Sequence, residues 1–138
     1  MIRKLLSSAA TPTQVNFALL IIRLGMGVMM LTHGYPKLLT LLSGGYQNFP
    51  DPIGLGPFLS SLATVFAEFL CSILLIAGLF TRIAAFFLGF TMFVAAFILH
   101  FDDPIGQKEK ALLFFTCYLA LWIVGGGRYS LDQKFFDK

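Results

Sequence analysis

Charge is scarce in this chain. Ten Lys and Arg and seven Asp and Glu make up 12% of its 138 residues, whereas 57% are hydrophobic and the mean hydropathy is +0.82. So little polar surface excludes an ordinary soluble domain, because one small core has no room for that many apolar side chains. Lipid is the solvent that such a composition fits. Ser/Pro-rich linkers, low-complexity tracts and blocks of like charge are also missing, so a single domain over residues 1–138 is expected. The net charge of +3 and pI near 9.0 invite a nucleic-acid reading. It is excluded because the basic residues are scattered singly, with no basic stripe interleaved with aromatics.

Cysteine is nearly absent too. Cys71 and Cys117 fall in different apolar runs, at depths differing by roughly 8 Å if both runs are helices, which disfavours a disulfide. There is no CxxC pair and no zinc-ligand spacing, so neither a dithiol electron carrier nor a structural zinc site is expected. Arg3 and Lys4 precede an apolar stretch in the manner of a secretory signal, yet no small-residue cleavage site follows Leu31. The stretch is therefore read as an uncleaved first helix.

Four apolar runs predict an all-α membrane protein built as a four-helix bundle, with helices over about 15–36, 59–80, 82–101 and 110–125. The first run contains a single charge, Arg23, and is long enough to cross a hydrocarbon core of about 30 Å. Pro36 is expected to kink or end it. The second opens after Gly56 and Pro57, with Glu68 as its only charge; the third, Ile83 to Leu99, takes Thr81 as its expected N-cap and closes at Asp102, Asp103 and Pro104. The fourth, Ala111 to Val124, reaches only about 21 Å and draws on Lys110 by snorkelling. Arg3, Lys4, Arg82, Arg128, Lys134 and Lys138 fall on one side, against Lys37, Lys108 and Lys110 on the other. The positive-inside rule then puts both termini in the cytoplasm of a bacterial inner-membrane protein.

The informative side chains are those that do not belong in lipid. Arg23, Gly27, Met30, His33, Gly34 and Lys37 are separated by steps of three, four or one and share one arc of the first helix. Ser61, Thr64, Glu68, Cys71 and Ser72 make a similar face on the second. A charge at the bilayer centre costs about 2.5–3.5 kcal/mol on insertion scales, so Arg23 and Glu68 are expected to pair. That pair serves equally as a lock between helices or as a proton or substrate site. His33 and His100 lie toward the outer ends of the first and third helices and are expected to face each other across a pocket. Such a pocket suits a quinone head group, while bis-histidine haem, a metal or plain interfacial hydrogen bonding remain alternatives. Lys37, one turn after His33, and Glu68 deeper in the bundle favour a polar head group over haem. Met26, Met29 and Met30 read as packing residues.

The segments Arg23-Leu-Gly-Met-Gly, His33-Gly-Tyr-Pro-Lys37-Leu, Ala67-Glu68, Gly78-Leu-Phe-Thr-Arg82 and Gly126-Gly-Arg128-Tyr-Ser-Leu-Asp132 occur in that order. Together they resemble the DoxX family of small bacterial membrane proteins, and they cover nearly the whole chain. The resemblance implies a four-helix inner-membrane fold. It also implies association with redox chemistry, the family being named after a subunit of an archaeal thiosulfate:quinone oxidoreductase. Two functions stand open. One is a quinone-linked oxidoreductase subunit or accessory, working with a redox partner protein, in which Arg23, His33, Lys37, Glu68 and His100 line a binding or proton-relay pocket. The other is a non-catalytic module that holds or passes a small solute or lipid.

Overall fold

The computed structural model describes residues 9–137. Among them there is no strand. Helix α1, Pro12–Leu42, begins with a capping box in which the Thr11 hydroxyl accepts from the Gln14 amide and the Gln14 side chain accepts from the Thr11 amide. It does not stop at Pro36. A proline removes one amide donor without breaking a helix in an apolar setting, and α1 runs on for 31 residues, about 46 Å. The expected end of the first helix is thus corrected from residue 36 to Leu42, and Lys37 lies within the helix.

A 3₁₀ turn, Gly45–Asn48, leads to α2, Pro57–Ala77. Asp51 builds this entry: its carboxylate accepts from the amides of Leu55 and Gly56 at 2.8 Å and from the Ser60 hydroxyl at 2.7 Å. Hydrogen bonding of this kind, first from Ser60 and then from the loop amides, holds the Asp51 carboxyl below its ordinary pKa. Mid-way, α2 widens into a π-helical stretch, Phe66–Cys71. The Ser72 hydroxyl donates to the Glu68 carbonyl at 2.7 Å, satisfying backbone loosened by the wider turn. Gly78, at φ 70°, ends the helix, with the Leu79 amide donating back to the Leu74 carbonyl.

Helix α3, Thr81–Leu99, also finishes in a π-helical stretch, Ala95–Leu99. Helix α4, Ile105–Val124, starts five residues before the expected boundary at 110 and so takes Lys108, Glu109 and Lys110 into its first turns. A short helix α5, Leu131–Phe135, follows. Gly27 against Ser72 and Ile76, and Gly34 against Glu68, make α1 and α2 antiparallel neighbours. The ring pairs Phe86–Trp122 and Phe93–Phe115 do the same for α3 and α4. Leu75, Ala84, Leu88, Tyr118 and Leu121 fill the space between.

The distribution of polarity is inside-out. Arg23, Ser61, Glu68, Ser72 and Thr81 are buried, while Ile21, Phe86, Phe90 and Ile123 face outward. A soluble monomer does not tolerate an apolar exterior of that extent. Three of the helices, α1 to α3, are long and apolar enough to cross a membrane.

Candidate functional site

On α1 the buried positions Arg23, Gly27, Met30 and Gly34, followed by half-buried Lys37, are spaced four, three, four and three residues apart. That is the interval of a coiled-coil seam, and it keeps one stripe against α2 over four turns. Small residues let the backbones close in. A Cβ at Gly34 would collide with the Glu68 carbonyl oxygen and lie 2.5 Å from its carbonyl carbon, and one at Gly27 would lie 2.6 Å from Ile76. His33, assigned to the same arc, turns outward instead.

The seam ends in two different polar constructions. At the end where α1 begins, Arg23 donates to the carbonyls of Gly126 at 2.7 Å and Tyr129 at 2.6 Å. It does not pair with Glu68. The antiparallel register sets Gly78, not Glu68, beside the guanidinium, and the chain after α4 folds back to supply the acceptors. Asp132 comes with that segment. Its carboxylate accepts from the amides of Phe80 at 2.6 Å and Thr81 at 2.8 Å, capping α3 where the chain itself offers only Phe80 in a left-handed conformation. Asn16 completes the knot by accepting from the Arg128 amide. Arg23 thus ties α1 to the segment that follows α4.

Toward the other end, Lys37 Nζ donates to both carboxylate oxygens of Glu68, at 2.7 and 2.6 Å. Glu68 is 3% exposed and Lys37 37%. This pair forms the floor of a half-open cavity of about 400 Å³. Its walls are the faces of α2 and α3 carrying Phe66, Phe87, Phe90 and Val94, and its roof is the loop with Phe49, Pro50, Pro52 and Ile53. Ser60, Thr64 and Thr91 add hydroxyls to an otherwise apolar wall. Ala95 and Leu99, from the second π-helical stretch, close the side, so both widened turns border the cavity.

The histidines do not join it. The His33 ring stands edge-on to Phe114, 6.4 Å between centroids, and His100 Nδ1 bonds the Asp103 carboxylate at 2.6 Å. Neither lines the cavity, so the expected His33–His100 pocket is corrected to one floored by Lys37 and Glu68. Cys71 and Cys117 are free. Among the described residues no group of three or more His, Cys, Asp or Glu is placed to hold a metal ion. Sequence reasoning missed Asp51, Thr91 and Asp132, of which Asp132 sat in a quoted segment and Asp51 carried the signature of a loop cap before Pro57.

The DoxX family profile matches residues 18–101, more than half of the chain. The chain belongs to the DoxX family. An uncharacterized protein of Haemophilus influenzae is 36% identical over 132 residues, covering 88% of this chain and 93% of that protein. Two Escherichia coli K12 proteins, inner membrane protein YphA (28%; 84% and 89% covered) and inner membrane protein YqjF (29%; 86% and 92% covered), are similar along comparable lengths. No solved structure matches. In this DoxX-family chain the segments around Arg23, Gly78–Arg82 and Gly126–Asp132 meet in the knot, whereas those around His33–Lys37 and Ala67–Glu68 meet at the cavity floor.

Proposed function

We propose that this DoxX-family protein is a bacterial inner-membrane subunit or accessory of a membrane redox system that binds a quinone-type amphiphile. The head group sits on Lys37–Glu68, and the tail leaves between α2 and α3. The observation that carries the reading is a buried carboxylate, Glu68, ion-paired with half-buried Lys37 at the floor of an apolar cavity bordered by two π-helical stretches. Ionisable groups inside a membrane-spanning segment mark pathways and binding sites, and pockets for apolar ligands carry a few convergent polar groups on a hydrophobic wall. The chain's own part is to hold the head group and exchange a proton at Glu68; a partner protein supplies the electrons.

Inner-membrane location is supported by the two Escherichia coli relatives named for it. In this reading α4 is the fourth crossing and both termini are cytoplasmic. Lys37, once engaged by Glu68, no longer counts among the outer-loop cations, which sharpens the charge asymmetry. In a variant without Cys71 and Cys117, a cysteine at Gln133 is labelled only from the inner face and one at Gln47 from outside; the reverse pattern would overturn the orientation.

The full chain, purified into nanodiscs, tests the ligand. A decyl-substituted benzoquinone added in equilibrium dialysis binds the native protein, and the folded Lys37→Met/Glu68→Leu double variant loses it. Undiminished binding by that variant would refute the site. A second reading, a module that only holds lipid, is favoured by the apolar wall from Phe66 to Leu99. It wins if mass spectrometry of the purified protein finds phospholipid that the benzoquinone does not displace.

A further inference from the structure

The hydrogen-bonding capacity left in the cavity is unbalanced. Three hydroxyls line it, and each already has its proton engaged: Ser60 donates to Asp51, Thr64 to the Ser60 carbonyl at 2.8 Å, and Thr91 to the Phe87 carbonyl at 3.0 Å. A hydroxyl whose O–H is committed offers a ligand only oxygen lone pairs. Glu68 as a carboxylate accepts and does not donate. Lys37 has three N–H bonds, two of which point at the Glu68 oxygens, so one donor remains against four acceptor groups.

We infer that the cavity selects an amphiphile whose head group donates hydrogen bonds, a hydroquinone, over the oxidised quinone, which only accepts. The inference rests on the quinone-type reading of the site and adds the redox state that it prefers. A quinone carbonyl finds one N–H, and its second carbonyl faces acceptor oxygens across an apolar wall. A hydroquinone directs its O–H groups at those same oxygens and still accepts from Lys37. Since an unmatched buried polar group weakens binding more than a matched one strengthens it, the difference favours the reduced form. Thr64 and Thr91 are the specificity-determining residues, and because each hydroxyl bonds only its own helix, valine replaces either without leaving a buried donor stranded.

The experiment is anaerobic equilibrium dialysis of the full chain in nanodiscs against decyl-benzoquinone and against its borohydride-reduced hydroquinone. The hydroquinone binds about tenfold more tightly, and a redox titration of the bound couple reads a midpoint about 30 mV above that of the same couple in empty nanodiscs. Thr64→Val and Thr91→Val each weaken hydroquinone binding about threefold and leave quinone binding unchanged. Equal or tighter binding of the quinone overturns this inference and leaves the proposed site standing. Failure of both forms to bind overturns the proposed site and this inference with it.

Discussion

Removing the cation from the Lys37–Glu68 pair is more damaging than removing the anion. Glu68 is 3% exposed and gives both oxygens to one ammonium, whereas Lys37 is 37% exposed on a flexible stem that can snorkel outward. Lys37→Met therefore strands a carboxylate between helices, a loss of about 3 kcal/mol. Glu68→Gln keeps an amide oxygen within reach of Lys37 and removes only the charge-assisted part of the contact, a loss of about 1 kcal/mol. The double variant Lys37→Met/Glu68→Leu leaves no stranded charge and recovers most of the loss. Unfolding in mixed detergent micelles, followed by circular dichroism, measures the native chain, Lys37→Met, Glu68→Leu and the double variant as the four corners of the cycle, with Glu68→Gln alongside. Additive single losses would show that the two side chains do not act together, and a Glu68→Gln loss as large as that of Lys37→Met would show that burial is not what separates them.

Gly34→Ala brings a methyl group within 2.5 Å of the Glu68 carbonyl carbon, so α1 and α2 must part; thermal unfolding falls by at least about 2 kcal/mol. Gly25→Ala, with nothing within 4 Å of the new carbon, is neutral or gains up to about 1 kcal/mol from helix propensity. Asp132→Ala takes the cap from α3 and loses about 1–2 kcal/mol, and amide exchange at Phe80 and Thr81 speeds up in the same variant. Because the Asp51 carboxyl is held below its usual value of 3.8, its bonds to Leu55, Gly56 and Ser60 are intact at neutral pH. They are lost as pH falls through that lowered value. Hydrogen exchange across residues 51–60 therefore rises only in strong acid in the native chain, and Asp51→Asn removes that acid dependence.

The polar stripe of α1 was legible because its spacing is a property of one helix, readable from Arg23, Gly27, Met30, Gly34 and Lys37 without knowing any neighbour. Its partners were not, since pairing across helices depends on register, and register depends on where helices begin and end. Arg23 and Lys37 shared that arc, and the cost of a charge in hydrocarbon favoured Arg23 as the partner of Glu68, whereas the antiparallel register brings Lys37 to it. An internal proline is tolerated when no water competes for the freed carbonyl, a condition that a local rule does not see. The π-helical stretches have no sequence signature at all, yet they shape two sides of the cavity. His33 and His100 were joined by depth alone, and depth says nothing about which way a ring faces around its helix.

The knot at Arg23 fixes an order of events during synthesis. Arg23 is made well before the carbonyls that receive it, Gly126 and Tyr129, which lie 103 and 106 residues further along the chain. Until the ribosome has delivered them the guanidinium has no acceptors and α3 has no cap, because Asp132 arrives on the same segment. The segment after α4 thus works as a latch that closes two distant faults at once. Without the segment from Gly126 to Asp132, the Arg23 guanidinium would lose both carbonyl acceptors and α3 its cap together, two faults on the same side of the bundle.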